Sequence, residues 1–179
     1  MSAIQELHTG DFLRLLRDGH WEYVARTNST GAVFIVAITP HQELVLVEQY
    51  RVPLRARTIE LPAGMIGDEA HLRDETLFDS ALRELEEETG YRGRRAELLM
   101  SGPVAAGLTS EILHLVRVHD LERVHAGGGV GHEDIQVHVV PLTEIDAWLE
   151  RQRDAGRLIE PRIYAGLYFV LRAHRPGSG

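Results

Sequence analysis

A chain of 179 residues with 44% hydrophobic content has room for one substantial core and too little for two independent ones. It contains no cysteine, which excludes a disulfide framework, a thiolate metal site and a cysteine nucleophile. A net charge of -8 opposes long-range attraction to nucleic acid or an anionic membrane, so neither is expected as a partner, and any anionic substrate requires a local offset. Residues 1–20 mix charges among the apolar positions and contain no run of secretory or membrane-spanning length, which makes the cytoplasm the expected compartment.

In chain order, Phe12, Leu13, Leu15 and Leu16 group on one side of a segment ending at Gly19, which reads as a short helix or a turn-rich lead-in. Residues 21–28 (WEYVARTN) alternate as a strand. The β-rich runs AVFIVAIT (32–39) and ELVLVEQY (43–50), separated by Pro40, His41 and Gln42, predict a hairpin. From Arg51 to Glu75 the chain is rich in Pro, Gly and charge around IELPAGMI (59–66), the pattern of a functional loop rather than a regular element. Over 76–89, Leu77, Phe78, Ala81, Leu82 and Leu85 recur at helical spacing, and Gly90 stands where a C-terminal cap belongs. Strands are predicted over 96–102, 111–118 and 134–142, with the Gly-rich AGGGVGHED (126–134) as a mobile loop before the last, and helices over 143–154 and about 161–174. Several strands with one central and two terminal helices predict an α/β (α+β) sandwich around a mixed sheet.

Within the 76–89 helix, Glu84, Glu87 and Glu88 stand at i, i+3 and i+4 and project from one side beside Arg83. Taken alone, such a cluster is most often a solvated acidic face. In a cleft, three like charges on neighbouring turns require bound cations, and Mg2+ or Mn2+ is commonly held by a few carboxylates while substrate phosphates complete the shell. Just upstream, Ala63 and Gly64 supply a small-residue segment whose backbone can approach a metal or phosphate. The histidines His114, His119, His125, His132 and His138 lack zinc-ligand spacing and read as structural or surface residues.

LPAG at 61–64 followed by RELEEETGY at 83–91 resembles the Nudix signature. Arg83, Glu84, Leu85, Glu87, Glu88, Gly90 and Tyr91 occupy its fixed positions, and Glu75 stands at its earlier glutamate. Ten residues separate Gly64 from Glu75 where the signature has five, an insertion that a surface loop absorbs at modest entropic cost. The resemblance implies a Nudix-type α/β/α sandwich, with residues 1–30 as a β-rich extension and 31–179 as the catalytic domain. It also implies that Glu84, Glu87 and Glu88 bind Mg2+ or Mn2+ with the Ala63 carbonyl, and that Glu75 and Arg83 pair to hold the loop and helix. Outside the signature, EQYR (48–51), IELPAG (59–64), SGPVAAGLTSE (101–111) and EDIQVHVVPL (133–142) resemble the ADP-ribose pyrophosphatase branch. That implies Glu133 as metal ligand or general base with Asp134 as fallback, Arg51 on a substrate phosphate, and Gly64, Thr109 and Glu111 near the substrate. It further implies Trp21 or Tyr23 against the base and a homodimer built through the N-terminal strand. The reaction so implied is hydrolysis of ADP-ribose to AMP and ribose 5-phosphate. GDP-mannose or another nucleotide sugar is the alternative substrate, and a silent nucleotide-sugar-binding regulatory module is the alternative of another class.

Overall fold

The computed structural model describes residues 3–29, 31–67, 72–131 and 134–173. The N-terminal strands β1 (Gln5–Thr9), β2 (Leu13–Asp18) and β3 (Trp21–Arg26) form an antiparallel meander. β2 occupies the segment expected as a helix or lead-in. Its apolar grouping satisfied a helical period, but so short a helix is marginal by itself, and partners on both edges satisfy its backbone as a strand.

The body contains β4 (Ala32–Ala37), β5 (Glu43–Arg51), β6 (Ala56–Glu60), β7 (Ala63–Met65), the helix α1 (Leu77–Thr89), β8 (Tyr91–Arg92), β9 (Arg95–Pro103), β10 (Ile112–His119) and β11 (Glu122–Arg123). It is completed by β12 (Gln136–Pro141), α2 (Ile145–Asp154), β13 (Leu158–Ile159) and α3 (Arg162–Ala173). Two four-stranded mixed sheets, ordered β7-β4-β10-β9 and β12-β5-β6-β13, carry the fold, with β10 parallel to β4 and β13 parallel to β6. The helices lie on both sides. Alternate β4 residues divide between them: Val33, Ile35 and Ala37 pack with Ala81 and Leu85 of α1, whereas Ala32, Phe34 and Val36 pack with Leu149, Ile163, Leu167 and Val170 of α2 and α3. Burial on both faces explains why the 32–37 run is apolar without interruption. Among the described residues no helix is long and apolar enough to cross a membrane.

The expected hairpin between the 32–39 and 43–50 runs does not form. Its turn closes for one bridge, Ile38 with Leu44, and the strands then part into different sheets. Both edges of β4 are taken by β7 and β10, and both edges of β5 by β12 and β6. The hairpin that does form is β5–β6, turned through residues 52–55 with Arg55 at φ 50°. The segment expected as an irregular loop between Arg51 and Glu75 therefore contains two strands, because Thr58, Ile59 and Glu60 are buried and need ladder partners.

α1 follows its sequence signals. Thr76 caps its first turn by accepting from the Asp79 N–H at 3.2 Å, and Gly90 ends it at φ 73°. The glycine run expected to confer mobility instead closes this terminus. Gly128 and Gly129 donate to the carbonyls of Glu88 and Glu87 at 2.8 and 3.1 Å. A Cβ on Gly127 would lie 2.4 Å from the carbonyl carbon of Thr89, so only glycine permits the approach.

The second sheet is tied by a buried charge. Glu48 on β5, 1% exposed, meets Arg57 of β6 at 2.7 Å, Arg157 ahead of β13 at 3.0 Å and His138 of β12 at 3.0 Å. Burial alone would raise the Glu48 pKa, but hydrogen bonding and charge from His138, Arg157 and Arg57 outweigh it and hold the carboxyl below its ordinary value. A depressed carboxyl pKa contributes stability above the unfolded value of 4.5 and loses it as pH falls through the folded value. The Glu48→Gln variant should therefore be about 3–5 kcal/mol less stable at neutral pH, and its urea midpoint should depend less on pH below 4.5 than the parent's. Parallel midpoint-against-pH curves for the two proteins would contradict this role.

Candidate active site

Strand alternation and the β5–β6 hairpin deliver one set of polar side chains to a cleft of about 810 Å3, within the range of small-molecule sites. Its floor comprises Ala32 and Phe34 of β4 and Ala63, Gly64 and Met65 of β7, strands joined in the register Phe34–Ala63. α1 contributes Glu84 and Glu88, and the segment before β10 contributes Glu111. The opposite wall carries Arg51, Thr58, Glu60 and residues 158–162.

The contact between α1 and β7 is close. Glu88 is buried and accepts from the Ala63 N–H at 3.0 Å. A Cβ on Gly64 would fall 1.9 Å from Glu84 Cδ, so the Glu84 carboxyl occupies the space a side chain would take. Behind it, Arg83 binds Glu75 through two contacts, of 2.8 and 3.1 Å, and reaches Glu84 at 3.0 Å and Glu87 at 2.9 Å. The Glu75 hydrogen bond raises the Arg83 pKa against the opposing effect of burial, with Glu84 and Glu87 adding to the rise. Glu87 thus faces Arg83 and does not line the cleft.

Among the other residues singled out by the sequence, Arg51, Gly64 and Glu111 line the cleft. Arg51 is forked onto Glu60 at 2.8 and 2.5 Å. Glu60 is 5% exposed, and although burial alone would raise its pKa, hydrogen bonds from Arg51 and Thr58 with the charges of Arg51 and Arg162 hold it low. Thr109 lies off the cleft: its hydroxyl accepts from the Glu111 N–H, and its backbone bridges to Val24. That bridge docks the N-terminal meander and brings Arg26 to Glu111 at 2.7 Å. Trp21 is half exposed on the meander, outside the cleft lining, and Tyr23 does not line the cleft either. Glu133 lies outside the described residues, and the neighbouring Asp134 pairs with Arg57 at 3.1 Å.

Arg26, Phe34, Glu60, Glu160 and Arg162 line the cleft without having been assigned a role from sequence. Reading 43–51 and 56–60 as a hairpin would have put Glu60 on the same two-strand face as Arg51, within reach of its long side chain, but no local signal marks the other four.

Three arginines face five glutamates in this lining, Glu60, Glu84, Glu88, Glu111 and Glu160, so an anionic ligand meets an acidic surface. Among the described residues no group of three His, Asp or Glu converges as a ready-made metal cage. The oxygen-only donors Glu84, Glu88 and Glu111 nevertheless suit a hard cation that keeps waters and takes phosphate oxygens as its remaining ligands.

A family model described as NUDIX domain matches residues 28–160. Over 115 residues the chain is 39% identical to a methanol dehydrogenase activator of Bacillus methanolicus, covering 63% of this chain and 58% of that protein. Over 119 residues it is 33% identical to an ADP-ribose pyrophosphatase of Bacillus subtilis, covering 65% and 60%. These matches span less than two thirds of either relative's length. A GDP-mannose pyrophosphatase of Citrobacter koseri is 29% identical over 152 residues, covering 79% of this chain and 72% of the relative. The crystal structure of an ADP compounds hydrolase shares the fold at a TM-score of 0.71 and 21% identity, covering 95% of this chain and 90% of that one.

Gly64→Ala separates site geometry from stability. The group in the way is the far end of a flexible side chain, so Glu84 can swing aside and the urea midpoint should change by less than about 1 kcal/mol equivalent. Calorimetric affinity for Mn2+ should fall by about tenfold or more; unchanged affinity would mean that Glu84 need not sit where it does.

Proposed function

The chain belongs to the NUDIX domain family, and from that premise we propose that it hydrolyses the diphosphate bond of a nucleoside diphosphate sugar in the presence of Mg2+ or Mn2+. ADP-ribose, cleaved to AMP and ribose 5-phosphate, is the substrate we favour. The observation that carries this reading is the cleft itself, in which Glu84 and Glu88 lie against the β7 backbone across from Arg51. The excess of glutamate there disfavours a bare diphosphate and favours one that arrives with cations. The similarity to an ADP-ribose pyrophosphatase supports the choice of substrate, and that to a GDP-mannose pyrophosphatase defines the alternative.

Glu84, Glu88 and Glu111, with the Ala63 carbonyl, would hold the cations, Glu87 completing the set if it leaves Arg83. When bound, the metal supplies neutralisation of the diphosphate and activation of the attacking water. The protein's own groups do the rest. The Ala63 N–H orients the Glu88 carboxylate, and Arg83 with Glu75 fixes the helix that bears it. Glu60 holds the Arg51 guanidinium at the cleft wall through two contacts, where its charge would meet a phosphate oxygen. Glu133 remains the proposed general base; it lies outside the described residues, and the next residue, Asp134, pairs with Arg57.

We assign the meander to dimerisation. Ile4, Phe12, Leu13 and Trp21 are exposed on it, and a second copy would cover them and carry Trp21 towards the neighbouring cleft as a platform for the base. A second reading, a nucleotide-sugar sensor that regulates another enzyme, is favoured by the similarity to a methanol dehydrogenase activator.

Incubation with Mg2+ or Mn2+ and ADP-ribose, GDP-mannose, UDP-glucose, NADH or coenzyme A, followed by assay of phosphatase-accessible product, tests the reading. ADP-ribose should be cleaved selectively, and Glu84→Gln or Glu88→Gln should lower turnover by about a hundredfold or more without unfolding the chain. Selective cleavage of another substrate overturns the specificity alone. Folded protein that binds ADP-ribose without cleaving it points to the sensor.

A further inference from the structure

Arg162 is the first residue of α3 and lies just beyond the span matched by the family model, yet it lines the cleft. Its guanidinium carbon sits 4.0 Å from the centroid of the Phe34 ring, and its Nε donates to Glu160 Oε1 at 2.5 Å. Glu160 also accepts from the Arg162 N–H at 3.0 Å, while its own N–H donates to the carbonyl of Ile59 at 2.9 Å. The side chain is therefore held over a buried ring and tied to the β6 edge, which removes rotamer freedom that an arginine on an open surface keeps.

Its position relative to the acidic pole follows from strand register. Phe34 pairs with Ala63, and the Ala63 N–H binds Glu88, so Arg162 stands over the strand adjoining the carboxylate floor. Arg51 approaches from the β5–β6 hairpin, and both guanidiniums act electrostatically on the buried Glu60. The cleft thus presents two arginines from different elements, β5 and α3, on the wall across from the acidic pole. A guanidinium lying over a ring and bound through Nε can turn its Nη groups to an oxyanion.

We infer that Arg162 is a second substrate-contacting arginine, which with Arg51 grips the two phosphates of a diphosphate-bridged ligand. This rests on reading the cleft as a nucleotide-sugar site. The competing role is purely structural: the stack and the Glu160 pair would serve only to fasten the start of α3. Charge separates the two, because lysine preserves attraction to phosphate while losing the stack and the fork.

The experiment is calorimetric titration of the full chain, in Mg2+, with the methylene-bridged, non-hydrolysable analogue of ADP-ribose. R162M should bind about tenfold or more weaker than the parent, and R162K should recover most of that loss. A smaller loss in R162M, or one that R162K leaves as deep, assigns the residue to packing and overturns the inference while the proposed function stands. A parent protein that binds no analogue overturns both. If R162M does not fold, R162Q and R162K are compared with the parent: retained binding in R162K with loss in R162Q supports the inference, and any other pattern overturns it.

Discussion

The cleft depends on one close approach, the carboxylates of α1 against the backbone of β7. The Ala63 N–H binds Glu88, and the absence of a side chain at Gly64 lets the Glu84 carboxyl occupy that space. Both contacts require α1 to sit at a fixed depth. Three features set it: Ala81 and Leu85 in the core beneath the helix, Arg83 locked to Glu75, and the glycine loop closing the C-terminal carbonyls of Glu87 and Glu88. Packing, charge and backbone hydrogen bonding thus converge on the same turn of helix. A glycine run that lends no visible chemistry to the cleft still governs it, because Gly127 can approach Thr89 only without a Cβ.

Charge is handled differently at each level of burial. Behind α1, the arginine meets three glutamates and stabilises a concentration of negative charge that would otherwise repel itself. In the second sheet, Glu48 is enclosed by Arg57 and His138 of the neighbouring strands and by Arg157 of the segment before β13, which ties that segment to the sheet. Within the cleft the balance tips to acid, and the imbalance is left for a ligand and its cations to settle.

The helical signature was legible because it is local. Spacing alone puts Glu84 and Glu88 on one side of α1, and Gly90 marks its C-terminal end. The N-terminal lead-in misled because a short apolar grouping fits a helix turn as well as a strand, and its neighbours β1 and β3 decided for the strand. The 32–50 hairpin misled for another reason. Apolar grouping says that a segment is buried, but not which edge finds which partner, and two runs buried on both faces each accept partners from distant parts of the chain. The reading of the glycine run as mobile failed because its role depends on a carbonyl terminus that reaches it only through the fold.

By itself, the sequence determined the layered α/β class, the central helix with its C-terminal cap, the family motif and most of the acidic pole, since all of these follow from residue spacing along a regular element or from short continuous patterns. Only the tertiary structure decided that Glu87 faces Arg83 while Glu84 and Glu88 face the cleft, that Glu60 holds Arg51, and that Arg26 and Arg162 enter from outside the matched domain. Apart from the Arg83–Glu87 pair within α1, those contacts join residues on separate elements, and their geometry is set by strand register and helix depth, quantities to which the whole core contributes.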